Sequence, residues 1–446
     1  MKEIYLISYA VRGIKSLDDW SRLSFYKKTI NKDFNIHGYN VKGIYGTNGV
    51  GKSAIVTSVK ILREILINPA YLSDSLVQKK LDELINRKHR KLEFEVEYAL
   101  VISKNIRVYR YNLIIEQEYP GRFVLKEEKL AFRNAASHSN TYSDIYHVTN
   151  GEVGFLEEEL DSLRAQTKNL LSGASLTALT VEKIALLRKN NDSNKYIVID
   201  LIRNYFFGYS LYAYLDVEDD HTNYVINHIL DNSEEYRDEE LFRMISDHIS
   251  LKKISMFELS SSTVEVSIDN YAAFETEIRK LERFLKIFKH DLKTITIDRK
   301  VDRNTYYCHL IMNYKDYNVD AEFESTGIKK LIKLFPYLQK MVKGEIVFID
   351  EMDSNLHDVY LCALIEYLME YGEGQLCFTT HNIGPMDVLK KNKKSIDFLS
   401  VNHNVYVWAT NGNYSPSKLY RNGMIEGSPF NIDSIDFLGI FDEDEE

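Results

Sequence analysis

Eight residues, Gly46-Thr47-Asn48-Gly49-Val50-Gly51-Lys52-Ser53, fit the pattern GxxxxGK[ST], a spacing whose chemistry is the binding of phosphate. Its glycines let backbone N–H groups close around phosphate oxygens with no side chain in the way, so Gly46, Asn48, Gly49 and Gly51 form the cradle. A helix N-terminus at the same point adds partial positive charge. Lys52 has the reach for β- and γ-phosphates, and Ser53 can offer its hydroxyl to magnesium. Far along the chain, Asp350 and Glu351 close the apolar run Ile346-Val347-Phe348-Ile349. Carboxylates at a strand end in an α/β sheet project into the crevice where ligands bind. Asp350 suits the magnesium shell, and Glu351 can take a proton from an attacking water. His381 lies just past the next apolar strand, and Ser325 and Gly327 stand at a helix start. Taken singly, a strand-end histidine is usually structural and a serine at a helix start is an ordinary cap.

These groups need a scaffold. Val41 to Tyr45 reads as a short strand entering the glycine turn, and Ala54, Ile55, Val59, Ile61, Leu62 and Ile65 mark a largely apolar helix beneath a sheet. Leu92 to Leu100 and Arg107 to Ile115 alternate in part, and Phe123-Val124-Leu125 follows a turn at Tyr119-Pro120-Gly121. Residues 1–150 are therefore expected to be the first half of a mixed α/β core. Residues 151–290 read as mostly helical, broken by polar loops such as Asn190 to Asn194. Phe274, Ile278, Leu281, Leu285 and Phe288 form the cleanest stripe, too short for a coiled-coil arm, so a compact helical lobe is expected. Residues 291–446 return to the mixed pattern as the second half of the core. There, Leu361, Leu364, Ile365 and Leu368 mark a helix ended by Gly372 and Gly374, and Leu376-Cys377-Phe378 is a buried strand. Pro336, inside the helix after Gly327, predicts a kink or an early stop.

With 446 residues, 44% of them hydrophobic, the chain can bury a large core in two or three lobes. Mean hydropathy is −0.31, and no apolar run reaches the ~18 residues of a membrane span. Met1 to Ala10 lack the basic start and apolar centre of a secretory signal. Cys308, Cys362 and Cys377 sit far apart without metal-ligand spacing, as expected of buried thiols in a reducing compartment. A cytoplasmic protein is expected, with no membrane partner. A net charge of −10 argues against a generic polyanion binder. Arg87 to Lys91 and Lys390 to Lys394 are local basic clusters, and Asp442 to Glu446 is an acidic tail.

The order of these pieces resembles the ABC ATPase superfamily, most closely the RecF/SMC-like branch often called AAA-15 or AAA-21. The residues that carry the resemblance are Val11-Arg12-Gly13-Ile14-Lys15, the Gly46–Ser53 loop, Glu324 to Gly327, Asp350 to His357 and Thr380-His381-Asn382. The ending Leu419 to Gly423, followed by Gly427-Ser428-Pro429, is similar too, whereas the centre matches only in being helical. The resemblance implies an ABC-type P-loop fold, a RecA-like core with an antiparallel β subdomain and a helical insertion. It implies ATP and Mg2+ as ligands. Ser325 and Gly327 would act as the signature motif, completing the site of a second copy. Asp353, Ser354 and Asn355 would form the loop between the sites, and His381 would read the γ-phosphate. One departure is the glutamine that usually follows the first helix, which has no clear counterpart.

Such an ATPase converts nucleotide state into the geometry of a homodimer or a higher homo-oligomer, so its output depends on what is attached. No transmembrane segment or long coiled coil is present, and the stretch after His381 is too short for a TOPRIM nuclease. What is expected is an ATPase whose effector is a separate chain, a nuclease, as in the AriA-like and PtuA-like subunits of bacterial anti-phage defence that the sequence resembles, released by a phage trigger. Two alternatives stand beside it: a RecF-like DNA-repair ATPase on duplex DNA, and a scaffold that binds ATP with little turnover.

Overall fold

The computed structural model describes residues 2–27, 29–30, 34–102, 105–135, 141–157, 160–184, 187, 195–215, 259–409 and 414–428. The loop Asn190 to Asn194, Pro429 and the acidic tail Asp442 to Glu446 lie outside the described residues.

The short apolar runs of the sequence assemble into a six-stranded sheet. In spatial order its strands are Val405–Val407, Ile396–Leu399, Val41–Tyr45, Gln375–Thr379, Ile346–Ile349 and Leu211–Tyr214. All neighbours run parallel except the antiparallel edge strand Val405–Val407. The five parallel strands are buried at every position, which is why they read as unbroken hydrophobic runs: both faces are covered. One face carries Ile44, Phe348 and Cys377 into a core with the helices Lys52–Ile67 and Tyr196–Ser210. The other carries Val41, Val347 and Phe378 against the helices Thr326–Val342 and Asp358–Tyr371.

A second sheet of seven antiparallel strands runs from Ser21–Ser24 through Lys2–Arg12, Lys91–Ile102, Asn105–Tyr119, Arg122–Asn134 and Ser143–Thr149 to Glu152–Leu156. Its inner face shares the core of the Lys52–Ile67 helix through Tyr9, Phe94, Tyr98 and Tyr111. Buried tyrosine hydroxyls need partners, and here they tie sheet to helices. Tyr111 and Tyr146 donate to Glu128 Oε1 at 2.9 and 2.7 Å, and Leu176 N–H donates to Glu128 Oε2 at 2.8 Å. Tyr98 donates to Asn204 Oδ1 at 2.9 Å, and Asn204 passes a bond to Thr177.

The described residues of the stretch 151–290, expected as one helical lobe, are shared among four places, the first being the strand Glu152–Leu156 of the antiparallel sheet. Asp161–Thr167, Leu176–Glu182 and Tyr196–Ser210 are helices of the main core. Leu211–Tyr214 follows Ser210 directly as an edge strand of the parallel sheet, pairing with Ile346–Ile349. Tyr271–Phe288, the striped helix, packs on a small antiparallel sheet formed by Val264–Ser267, Thr294–Asp302, Thr305–Asn313 and Asn318–Asp320. Gly208 and Ser210, the turn-type residues in the run from Tyr205 to Tyr214, are both buried inside the helix, so they do not mark where helix becomes strand, and tertiary pairing decides it. Pro336 also differs from expectation. The helix Thr326–Val342 runs through it uninterrupted. Buried Leu334, Phe335, Leu338 and Met341 on either side of the proline hold both halves in place, outweighing the lost backbone bond.

Candidate functional site

The loop Gly46–Gly51 joins the strand Val41–Tyr45 to the helix that starts at Lys52. Gly49 and Gly51 have φ of 80° and 105°, values at which a side chain strains the backbone. Space is closed as well: a Cβ on Gly51 would stand 2.4 Å from Leu17 Cδ2. The loop is therefore moulded against the turn at Leu17, and Ser16 Oγ donates to Gly49 O at 3.3 Å. Gly51→Ala is expected to destabilise the chain by about 1–3 kcal/mol and to weaken nucleotide binding at least tenfold. Urea denaturation and equilibrium titration with a fluorescent ATP analogue measure the two effects.

Lys52, buried at 6% exposure, folds over the loop and donates to Gly46 O and Thr47 O, both at 2.9 Å. Burial pushes its ammonium below the usual lysine range, and the carboxylates of Asp350, Glu351 and Asp353 oppose that shift. These carboxylates lie one strand away from the loop's own strand: Ile346–Ile349 pairs with Gln375–Thr379, which pairs with Val41–Tyr45. Asp350 Oδ1 accepts from Thr379 Oγ1 at 2.6 Å, and the same hydroxyl accepts from Glu351 N–H at 2.8 Å. Glu351 has φ of 47°, a left-handed conformation that a non-glycine residue keeps only when its surroundings hold it. Asp353 Oδ2 accepts from the backbone N–H groups of His381 and Asn382 at 3.4 and 3.2 Å. Burial lowers the His381 imidazole below its ordinary pKa, with Lys52 adding to the effect and the three carboxylates opposing it. That shift favours the neutral ring, which has one N–H to donate.

Asn48, Gly49, Gly51, Lys52, Ser53, Glu351 and His381 thus line one cleft of about 480 Å3, joined by Lys15 and Ser16. No glutamine lines it among the described residues. Ser53 and Asp350 are the oxygen donors that could hold a magnesium ion. Among the described residues no cluster of three or more His, Cys, Asp or Glu could hold a metal, and the ion does not need one: Mg2+ characteristically takes one or two protein oxygens beside phosphates and water. A larger groove, about 740 Å3, lies on the outer face of the antiparallel sheet. Its charges are paired across the sheet, Arg22 with Glu95 over the intervening strand Lys2–Arg12 and Arg110 with Glu97 on the adjacent strand, so it presents no convergent set of free polar groups.

Ser325 and Gly327 are not in the cleft. Ser325 caps the helix Thr326–Val342, its side chain accepting from Ile328 N–H at 3.4 Å. A Cβ on Gly327 would stand 2.7 Å from Asn355 O, and Thr326 Oγ1 donates to Asn355 Oδ1 at 3.3 Å. The pair belongs to a second surface, against the loop that follows Glu351. Sequence reasoning passed over Thr379, which orients both Asp350 and Glu351. Its only signal was its place two residues before His381. It also passed over Lys330, which looks like any helical lysine.

Comparison with curated proteins finds no match. Among solved structures the chain is similar to an SMC head bound to the C-winged helix domain of ScpA, at 15% identity over 92% of this chain and 98% of that one, TM-score 0.43. It is also similar to the recombination mediator protein RecF of the RecFOR pathway, at 14% identity over 91% and 99%, TM-score 0.37. A third is the SMC head domain from Thermotoga maritima, at 12% identity over 91% and 100%, TM-score 0.31. Among the described residues no helix is long and apolar enough to cross a membrane. The model of one family, AAA_21, described as "AAA domain, putative AbiEii toxin, Type IV TA system", matches residues 42–387, a span that takes in the phosphate loop, Asp350, Glu351 and His381. The chain, with its P-loop, parallel sheet and antiparallel β subdomain, belongs to this family of ATPase domains.

Proposed function

We propose that the chain binds and hydrolyses ATP in a site completed by a second copy of itself, and that this cycle works as a nucleotide-dependent scaffold and sensor for a separate effector in defence against phage. The observation that carries the catalytic part is a division of labour. Lys52, Ser53, Glu351 and His381 share one cleft, while Ser325 and Gly327 lie on another surface, against Asn355.

In this reading Lys52 leaves the carbonyls of Gly46 and Thr47 for the β- and γ-phosphates, where the phosphate charge replaces lost solvation. Ser53 and Asp350 hold magnesium, which when bound neutralises charge on the phosphate oxygens. Glu351 accepts the proton of the attacking water. His381 donates an N–H to the γ-phosphate. Ser325 of the second copy supplies a hydroxyl and a helix N-terminus to the same phosphate. Loss of the γ-phosphate removes these contacts and lets the two copies part.

The defence role rests on the words "putative AbiEii toxin, Type IV TA system" in the family's description and on the resemblance to anti-phage ATPase subunits, whose effectors are separate nucleases. A DNA-repair role on duplex DNA is less favoured by the basic clusters. Arg87, Lys88, Arg90 and Lys91 face Glu83, Asp18, Asp82 and Glu93, and Lys390 and Lys391 face Asp387 and Glu366. Cations already paired with carboxylates are poor partners for DNA phosphates. Light scattering of the purified chain tests the core of the proposal. Mass should double with ATP and Mg2+ over its value with ADP, with phosphate released. A mass indifferent to nucleotide, with no phosphate produced, overturns it.

A further inference from the structure

Lys330 is a lysine at 3% exposure, on the helix Thr326–Val342 that Ser325 caps. Its ammonium donates to Glu351 O at 2.5 Å and to Ser354 Oγ. A buried ammonium is costly to keep, and the neighbouring positions Leu331 and Leu334 show that apolar side chains pack well on this helix. What the charged head does at this place is grip the peptide of Glu351, the residue held at φ of 47°. That peptide is fixed from both ends. Its N–H meets Thr379 Oγ1 at 2.8 Å, on the side of the strand that leads to His381. Its carbonyl meets Lys330, on the side of the helix that carries Ser325 and Gly327.

We propose that Lys330 is a positioning residue that sets the carboxylate of Glu351 according to the seat of its own signature helix. The inference rests on the reading of Glu351 as the base and of Ser325 as a group offered to the other copy. A helix moves as a rod, so a shift at Ser325 reaches Lys330, five positions on, with little loss. Thr326 and Gly327 contact Asn355 at the near end of the same loop, so helix and loop touch at two points and shift together. When Ser325 closes on the neighbour's triphosphate, Lys330 moves the Glu351 peptide, and the base of its own site comes into line. Each copy then becomes competent for hydrolysis at the moment it completes the other's site, and a half-closed dimer holds its ATP intact.

The test is K330M, which keeps an apolar stem of similar length and removes the ammonium, made in the wild-type and in the E351Q chain. Expected in the wild-type background is a loss of kcat of about 10- to 100-fold, the scale of a misplaced catalytic group, with KM and ATP-driven mass doubling within about twofold. In the E351Q background K330M should change kcat by less than about twofold, because the group it positions is already gone. Unchanged kcat for K330M overturns the inference. So does an equal further loss on E351Q, or a joint loss of kcat and nucleotide affinity, since each marks a general structural role. Should K330M fail to fold, K330Q, a shorter neutral donor, is subject to the same expectations. A wild-type chain that releases no phosphate, or an E351Q chain as active as wild type, would instead count against the proposed function itself.

Discussion

Replacing Glu351 by Gln is expected to lower kcat for ATP hydrolysis by about 10²- to 10³-fold, while ATP affinity stays within about threefold. Glutamine matches the size of the carboxylate and retains a carbonyl oxygen to orient water, but it cannot take the proton. The main-chain anchor survives, because the bonds from Glu351 N–H to Thr379 and from Lys330 to Glu351 O involve the backbone of residue 351 alone. Neither Lys52 nor Ser53 loses a partner in the phosphate loop, so binding is spared. A trapped ATP-bound dimer follows: light scattering should show the doubled mass persisting for hours in E351Q and decaying in wild type as phosphate appears. His381 is a poor substitute base. Burial lowers its basicity, and its N–H is committed to the γ-phosphate in the proposed cycle. Equal phosphate release from E351Q and wild type would remove Glu351 from the base role and favour a scaffold in which ATP is bound and scarcely turned over.

Why some of this was legible in the sequence and some was not follows from how far each signal reaches along the chain. The phosphate loop is local: its glycines, Lys52 and the flanking strand and helix fall within one short window, so pattern and geometry coincide. Asp350 and Glu351 were visible because a strand covered on both faces must be apolar throughout, and carboxylates can follow it only where it emerges at the rim of the sheet. Leu211–Tyr214 was hidden for the opposite reason. Its apolar residues continue those of the preceding helix, and its pairing partner Ile346–Ile349 lies far along the chain. Lys330 and Thr379 were hidden because ordinary residue types act there through backbone groups that carry no sequence signal. The helix through Pro336 shows a local preference overruled by burial on both sides. Ser325 and Gly327 were singled out by family resemblance, and the structure places them on a surface apart from the cleft that holds Lys52.

That separation leads to a second large effect, seen when two inactive chains are mixed. Lys52→Ala removes the ammonium from the phosphate loop, and Ser325→Arg fills the helix start with a bulky cation. Each variant alone is expected to lose at least about 10²-fold in kcat, since every site in either homodimer carries the lesion. The two lesions fall on opposite halves of a composite site. In a mixed dimer with two-fold symmetry, one site combines both defects, and the other joins an intact Lys52 to an intact Ser325. Random exchange of equal amounts makes half of all dimers mixed, each with one sound site of two, so about a quarter of wild-type sites return. Phosphate release after mixing should therefore rise from near background towards a quarter of the wild-type rate, at the pace of subunit exchange. If Lys330 links the two sites as inferred, recovery falls short of a quarter, because Glu351 of the sound site belongs to the Ser325→Arg chain and is set by that chain's own, blocked signature helix. A site contained within one chain predicts a different pattern. Ser325→Arg would then keep most of its activity alone, and mixing with Lys52→Ala would give only the average of the two, with no gain from exchange.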